Sequence, residues 1–176
     1  TYADLKAVKP DLIYCNAWGF GRRGPYAERP AYDDVIQAMS GIAELSRLQT
    51  GNAPALAPTI MADKTSGMFL TNAILLGLVH RLRTGQGQEI EVPMFESMVS
   101  FIMAEHLAGE VFQPPIKTNN GTMGYDRVLA PNRKPSRTAD GYMTVLPYTN
   151  KHWVSFFTAA GKPELARDPR FSTVAE

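Results

Sequence analysis

One apolar segment, residues 63–84, restricts the fold of this chain more than any other feature of the sequence. Its apolar residues lie nearly all round a helical wheel, which predicts a helix buried by neighbours on several sides. Basic residues in the last turns suit the negative end of the helix dipole, and Gly85 is a typical helix stop. The apolar positions that define this helix are Phe69, Leu70, Ala73, Ile74, Leu76, Gly77 and Leu78.

Two short strands flank this helix in sequence. The first covers residues 11–18 and has an apolar run typical of a buried strand, whereas residues 88–92 alternate apolar and polar positions. A helix over about residues 2–9, ended by Pro10, leads directly into the first strand. This order of elements indicates an α/β fold that the chain enters in mid-domain. Because the chain also begins with Thr1, we expect it to be a fragment of a longer protein.

The remaining sequence predicts further helices and a smaller second domain. Helices are expected at about residues 32–45 and 94–109, and a Pro- and Gly-containing linker at 113–138. Beyond it, a strand at 141–146 precedes a helix at 151–160, for which Asn150 is the expected N-cap.

The composition shift after Gly109 divides the chain into two parts. Residues 1–110 are expected to be part of a large α/β domain, which includes the helix from residue 63 and the helix after the second strand. Residues 111–176 are expected to be a linker and part of a small α+β domain.

Composition excludes several classes of protein. The 176 residues are 44% hydrophobic and 20% charged, which is too apolar for a disordered chain. A net charge of +1 argues against nucleic acid or an anionic membrane as partner. No run of about 18 apolar residues indicates a membrane span. The single cysteine, Cys15, excludes an internal disulfide and suits the reducing cytoplasm.

Residues Gly19 to Gly24 match the pattern G-x-G-x-x-G after a strand. A dinucleotide-binding fold requires the third glycine to open a helix, yet Pro25 and Pro30 flank a stretch without helical periodicity. Two other interpretations stay open. The segment is either a tight surface loop, or a loop whose backbone amides, with Arg22 and Arg23, meet a phosphate or carboxylate.

Asp63 is the most informative single residue, because it stands at the start of the long helix. An aspartate there is commonly an N-cap that accepts hydrogen bonds from first-turn N–H groups. The functional alternative is a carboxylate nucleophile or a base. Gly67 favours function slightly, because a glycine near a helix start costs stability but permits close approach of a ligand or backbone.

Other reactive residue types give weaker signals. The three histidines, His80, His106 and His152, have no metal-ligand spacing, so we expect no metal site. Asp33 and Asp34 suit the positive end of a helix that starts there. Cys15 lies in an apolar strand and is expected to be a core residue rather than a nucleophile.

Short motifs that are weak singly follow one another along essentially the whole chain. These are Leu12-Ile13-Tyr14, Gly19-Phe20-Gly21-x-x-Gly24-Pro25-Tyr26, Tyr32-Asp33, Gln37-Ala38-Met39-Ser40-Gly41, Ala62-Asp63-x-x-Ser66-Gly67, Arg83-Thr84-Gly85-x-Gly87-Gln88, Val92-Pro93-Met94-Phe95-Glu96, Thr138-Ala139-Asp140-Gly141-Tyr142 and Asp168-Pro169-Arg170-Phe171. Taken in this order, they resemble the motifs of the family III CoA-transferases, the CaiB/BaiF family.

The resemblance implies a fold and a reaction. It implies part of a Rossmann-like large domain, a linker and a small α+β domain, from a chain about twice this length that forms an interlocked homodimer. It places Asp63 on the catalytic aspartate, which attacks an acyl-CoA thioester and carries covalent intermediates. CoA and acyl-CoA are then substrates, transfer is to a small carboxylic acid, and no cofactor is permanently bound.

The resemblance also implies substrate- and CoA-binding positions. These are Gly19, Phe20, Tyr32, Met94, Gly121, Met123 and Gly124, the last three in a segment that matches a glycine-rich loop closing over the aspartate. The family also contains α-methylacyl-CoA racemases, which use a histidine–aspartate pair. Tyr32 occupies the place of that histidine, which favours a transferase over a racemase. A third alternative is that this stretch of chain is inactive by itself.

Overall fold

The computed structural model describes residues 1–118, 121 and 123–171, which fall into two units. The first runs Thr1–Pro131 and the second begins at Asn132. The division therefore lies further along the chain than the composition shift at residue 110. Hydrogen bonds account for this position, because the Gly124 N–H donates to the carbonyl of His106 (2.8 Å) and the Gln49 side chain donates to the carbonyl of Val128 (3.0 Å).

A pair of parallel strands forms the framework of the first unit. Strands β1 (Ile13–Trp18) and β2 (Gln88–Pro93) pair in register from Ile13 with Gln88 to Trp18 with Pro93. Parallel pairing requires a long crossover, and three helices provide it: α2 (Asp33–Met39), α3 (Ile42–Thr50) and α4 (Met61–Thr84). The mixed α/β class is confirmed, and the carboxyl ends of both strands meet at one edge.

The first unit contains several further helices. Helix α1 (Tyr2–Val8) precedes β1, and its N-cap is Thr1. Helix α5 (Met94–His106) follows β2 without a loop, and a 3₁₀ helix (Ala108–Val111) and the short helix α6 (Asp126–Leu129) come later.

The second unit is small. Strands β3 (Ser136–Arg137) and β4 (Tyr142–Met143) form an antiparallel pair, which is shorter than the predicted strand over 141–146. Helix α7 (Asn150–Ala159) has Thr149 as its N-cap, since the Thr149 hydroxyl accepts from the His152 N–H. The prediction of Asn150 as the cap was wrong by one residue. Two 3₁₀ helices follow, Pro163–Arg167 and Pro169–Phe171.

The single helix predicted over residues 32–45 is two helices. Gly41 separates α2 from α3 with φ of 100°, a left-handed conformation that ends one helix and caps the next. Glycine adopts this backbone at little steric cost because it has no Cβ. The first helix therefore ends at Met39, and the helical region continues to Thr50 rather than to residue 45.

The core of the first unit joins three helices and the segment after β1. The buried side chains of this cluster come from the loop after β1 and from α2, α4 and α5: Phe20, Ile36, Ala62, Met98 and Ile102. Ala62 is the second residue of α4, so the first turn of that helix is packed into the core.

Helix α4 is not buried all round, contrary to the prediction. Its Gly77 approaches the strands so closely that an added Cβ would lie 3.2 Å from Cγ2 of Ile13. Helices α2 and α5 also pack against α4, but parts of its surface stay exposed among the described residues: Met68 is 69% exposed, Leu76 70% and Leu82 75%. The described elements therefore leave uncovered part of a helix whose apolar residues point to every side. Within the described ranges, no helix combines the length and apolarity needed to cross a membrane.

The close approach of chain segments at Gly87 gives a test of this fold. A Cβ at Gly87 would overlap the backbone of Asp11 and Leu12, where the Gln88 N–H donates to the Leu12 carbonyl (3.0 Å). We expect Gly87→Ala to lower the free energy of unfolding by about 2 kcal/mol or more, because backbone must move. Urea unfolding followed by circular dichroism measures the change.

The matched control is Gly67→Ala within α4. A Cβ at Gly67 meets no atom within 4 Å, so this change should stabilise the helix by about 0.5–1 kcal/mol. Equal stability of the two variants would contradict the close approach at Gly87.

Candidate functional site

Asp63, the predicted nucleophile, is the third residue of α4 and its side chain is exposed. The N-cap of α4 is Ile60, whose side chain makes no capping bond. The interpretation of Asp63 as an N-cap is therefore wrong. Its carboxylate makes no hydrogen bond or ion pair with any residue that the structure describes.

The carboxylate that caps α4 belongs to Asp33, in the first turn of α2. Its Oδ1 accepts hydrogen bonds from the backbone N–H of Ala62 (2.7 Å) and of Asp63 (3.1 Å). Asp33 is 8% exposed, so these two charge-assisted bonds are shielded from water. They satisfy two of the N–H groups that a helix start leaves without partners.

Gln37 completes this buried network. Its side-chain amide donates to Oδ2 of Asp33 (2.6 Å) and to the carbonyl of Thr59 (3.0 Å). Its carbonyl oxygen accepts from the Ala57 N–H (2.8 Å). One face of α2 thus fixes both the start of α4 and the loop that leads into it.

Backbone contacts bring three of the predicted binding residues toward this helix start. Tyr32 directly precedes Asp33 and its side chain is 75% exposed. A Cβ on Gly19 would overlap the side chain of Ala31, and the Gly19 carbonyl accepts from the N–H of Phe95 (3.0 Å), next to Met94. Gly19, Tyr32 and Met94 therefore belong to one neighbourhood at the carboxyl edge of the strands.

Phe20 is placed differently from the other predicted binding residues. Its side chain is 4% exposed and packs in the core, with its ring centroid 5.4 Å from that of Tyr26 and 5.7 Å from that of Phe95. The ring holds the loop after β1 in place, so a contribution of Phe20 to ligand binding rests on its backbone.

The loop over residues 19–24 is held by carboxylates. The Gly21 N–H donates to Oε1 of Glu96 (3.0 Å), and the Arg22 N–H donates to Oε1 of Glu91 (2.8 Å). Residues 19–32 are all described, and no helix begins among them, since the helix that follows starts at Asp33. The dinucleotide interpretation therefore fails, and the Gly21 and Arg22 amides are already occupied rather than open to a phosphate.

A shallow cleft lies beside this loop, between α4 and the start of α5. Glu91 and Glu96 line it together with Phe69, Ala73, Val92, Pro93, Ser97 and Ser100. Two carboxylates disfavour the entry of the phosphate groups of CoA.

The predicted loop residues Gly121, Met123 and Gly124 lie near the far end of α5. The Gly124 N–H donates to the carbonyl of His106, the last residue of that helix, and Gly121 pairs with Thr118. At about 1.5 Å per residue, His106 lies roughly 18 Å along the helix from Met94. The described residues of this loop make no hydrogen bond to α4, and residues 119, 120 and 122 lie outside the described part of the chain.

His106 anchors this loop with its ring as well as its backbone. Its side chain is 5% exposed, and Nδ1 accepts from the Tyr125 N–H (3.2 Å). Burial lowers the pKa of His106 below its ordinary value of 6.5, and the nearby Glu105 carboxylate opposes this effect only in part. The neutral ring is therefore the form that the folded chain favours.

His106 should make the fold sensitive to acid. The unfolded chain binds the proton more readily because its histidine keeps the ordinary pKa. The lowered pKa of His106 therefore adds to the free energy of unfolding fully above pH 6.5, the ordinary pKa, and this addition is lost as the pH falls below that value. Protonation also removes the Nδ1 acceptor for Tyr125.

The variant His106→Asn tests this, because the asparagine oxygen can accept from Tyr125 without titrating. Thermal unfolding between about pH 8 and pH 5 should show a shallower acid decline than in the parent chain. The matched control is His152→Asn, since Nδ1 of His152 accepts from the Tyr148 N–H at an exposed site. An unchanged acid decline in His106→Asn would contradict the role of His106.

Two further sequence motifs have structural explanations. Burial raises the pKa of the Cys15 thiol above its usual value, which disfavours the reactive thiolate. Hydrogen bonds from Arg170 to the Asp168 carboxylate hold the turn in the Asp-Pro-Arg-Phe motif. The same bonds lower the pKa of Asp168 to about 2. Among residues 1–118, 121 and 123–171, no group of three or more His, Cys, Asp or Glu side chains could hold a metal ion.

Comparison with known proteins identifies the family. The model of CoA-transferase family III matches residues 1–176, and the chain belongs to that family. It is 29% identical over 176 residues to succinate–glutarate CoA-transferase of Agrobacterium fabrum, covering 98% of this chain and 42% of that protein. It is 33% identical over 174 residues to acetyl-CoA:oxalate CoA-transferase of Acetobacter aceti, covering 97% and 43%.

A solved structure agrees with the fold. The crystal structure of a CaiB/BaiF family protein from Brucella suis matches with a TM-score of 0.73 and 33% identity, over 98% of this chain and 44% of that one. The chain thus spans less than half the length of the relatives it matches.

Sequence reasoning missed the role of Asp33. Local rules explain this residue by the dipole of its own helix, but its hydrogen-bond partners lie 29 and 30 residues further along the chain. No local pattern links positions so far apart, and only the packing of α2 against α4 brings them together.

Proposed function

We propose that the whole protein transfers CoA from an acyl-CoA to a carboxylic acid, with Asp63 as the nucleophile. One observation carries this proposal: an exposed carboxylate in the first turn of α4 is not needed to cap that helix, because Asp33 caps it. An anionic side chain is electrostatically compatible with the positive end of a helix dipole. Membership of CoA-transferase family III supports the reaction class.

The first half of the reaction forms two covalent intermediates in turn. An Asp63 oxygen attacks the thioester carbonyl carbon of the donor, the carbon–sulfur bond breaks, and CoA leaves as a thiolate. The product on the enzyme is a mixed anhydride. The thiolate then attacks the Asp63 carbonyl carbon, the donor acid leaves as a carboxylate, and an aspartyl-CoA thioester remains.

The second half repeats these steps with the acceptor. The acceptor carboxylate attacks the aspartyl thioester and releases the CoA thiolate, which leaves a second mixed anhydride. Attack of the thiolate on the acceptor's carbonyl carbon yields the new acyl-CoA and regenerates the Asp63 carboxylate. Atoms and charge balance without an external acid, base or oxidant.

The proposed substrates are small carboxylic acids and their CoA thioesters. The relatives named above are CoA-transferases for succinate and glutarate, and for acetyl-CoA and oxalate. In this proposal CoA is a substrate rather than a resident cofactor. We propose that CoA contacts the Gly19 backbone together with Tyr32 and Met94. The loop of Gly121, Met123 and Gly124 contributes to CoA binding when it moves toward these residues.

A racemase of the same family is less well supported. Its chemistry needs a histidine beside the aspartate, and Tyr32 stands at that position. His80 lies 17 residues beyond Asp63 on the same helix, roughly 25 Å away, and His106 is occupied in anchoring the loop.

The proposal extends to the whole protein's architecture. We propose that the α/β unit is part of a Rossmann-like domain and residues 111–176 a linker with part of a small domain. We also propose that the chain forms an interlocked homodimer in the cytoplasm. The exposed apolar side chains of α4 support a further covering surface, because so large an apolar area is unfavourable in water.

Removal of the Asp63 carboxylate is the direct test of function. We expect Asp63→Asn in the whole protein to reduce transfer by about a thousandfold or more, because no covalent intermediate can form. Incubation with acetyl-CoA or succinyl-CoA and trapping with hydroxylamine should modify Asp63 in the parent protein, as read by peptide mass spectrometry.

Stability separates chemistry from folding in this test. Because the Asp63 side chain makes no capping bond, its removal should change the free energy of unfolding by no more than about 1 kcal/mol. Asp34→Asn removes an exposed acid from the first turn of α2 and serves as the charge-matched control. Full transfer activity in Asp63→Asn would disprove the proposed role of Asp63 as the nucleophile.

The mass of the whole protein in solution tests the dimer. Multi-angle light scattering should give the mass of two chains at micromolar concentration, because burial of the apolar α4 side chains stabilises association. A mass of one chain at every concentration would contradict the interlocked homodimer.

A further inference from the structure

The Asp33 carboxylate is buried and charged, and the proposed reaction does not use it. Its three hydrogen-bond donors are the N–H groups of Ala62 and Asp63 and the side-chain amide of Gln37. A buried carboxylate is unfavourable unless such donors satisfy it. Two of the three donors that offset the cost of its burial lie at the start of α4, the helix that carries Asp63.

These bonds determine what the Asp63 carboxylate can do. The first N–H groups of a helix lack intrahelical partners, and a carboxylate close to the helix start can accept from them. Without Asp33, that carboxylate is Asp63 itself, which would turn toward its own helix start. With Asp33 in place, the Asp63 N–H is occupied by a partner from another helix, and the Asp63 side chain stays exposed.

Gln37 makes this arrangement rigid. It is fully buried, and it ties Asp33 to the carbonyl of Thr59 and the N–H of Ala57 in the segment before α4. Position and rotation of the first turn of α4 are therefore both fixed by α2.

We propose that Asp33 is a positioning residue for the nucleophile: by holding the backbone N–H of Ala62 and Asp63, it keeps the Asp63 carboxylate free and aimed at the substrate. This inference rests on the proposed function of Asp63. It assigns to Asp33 no contact with the reacting atoms.

The variant Asp33→Asn in the whole protein tests it. Asparagine keeps one oxygen for the two N–H groups, but its NH₂ opposes the Gln37 amide and the charge is lost. We expect kcat, and the single-turnover rate of Asp63 acylation by acetyl-CoA per folded molecule, to fall by about ten- to a hundredfold. The KM for acetyl-CoA should change less than about threefold, since the binding surface is intact. Asp34→Asn should match the parent protein in both constants.

Rescue distinguishes positioning from general loss of fold. In the double variant Asp33→Asn/Gln37→Glu, the carboxylate introduced at position 37 can accept from the amide introduced at position 33 and from the Ala57 N–H, while the bond to the Thr59 carbonyl is lost. We expect this double variant to recover part of kcat, and circular dichroism melts should confirm that all variants are folded at the assay temperature.

Each outcome has one meaning. Normal kcat and acylation rate in Asp33→Asn, with trapping at Asp63 in the parent protein, would overturn the positioning role and leave the proposed function standing. No adduct at Asp63 in the parent protein would overturn both. A slow Asp33→Asn that the double variant rescues, with KM unchanged, supports the role.

Discussion

The structure of the first unit depends on the carboxylate of Asp33. It joins the start of α2 to the start of α4 through the N–H groups of Ala62 and Asp63. Ala62 is fully buried, so its N–H has no access to water and would otherwise be an unsatisfied donor in the core. The hydrogen bond that gives the buried Ala62 N–H an acceptor therefore also sets the geometry of the candidate site.

The parallel strands determine where that site lies. The β1–β2 register places Trp18 beside Pro93, so the loop after β1 and the start of α5 emerge together. Glu96 and Glu91 then bind the amides of that loop and fix its path. In open α/β sheets the carboxyl edge of the strands is the common position of ligand sites, and Gly19, Tyr32 and Met94 occupy it here.

Part of the apolar surface of α4 is exposed. A helix that is apolar nearly all round is stable when neighbours cover it on several sides, but the described residues leave Met68, Leu76 and Leu82 of α4 exposed. The relatives are more than twice as long as the matched region. An exposed apolar surface of this kind is unfavourable in water, which is the physical basis of the covering surface proposed above.

The sequence by itself determined the elements whose signals are local. Apolar periodicity located α4 and α5, alternation located β2, and Gly85 marked the end of α4, because short-range sterics and hydrogen bonds govern these features. The order of motifs also identified the family. The break at Gly41 was missed, since the apolar period continues through it.

Only the tertiary structure decided which carboxylate caps α4 and which stays exposed. Asp33 and Asp63 are both acids near a helix start, and local rules assign each to its own helix. The packing of Ile36 and Ala62 into one core brings the helices together, so that a separation of 29 positions along the chain between Asp33 and Ala62 becomes a direct hydrogen bond. The roles of the two aspartates differ because one side chain is buried against three donors and the other faces solvent.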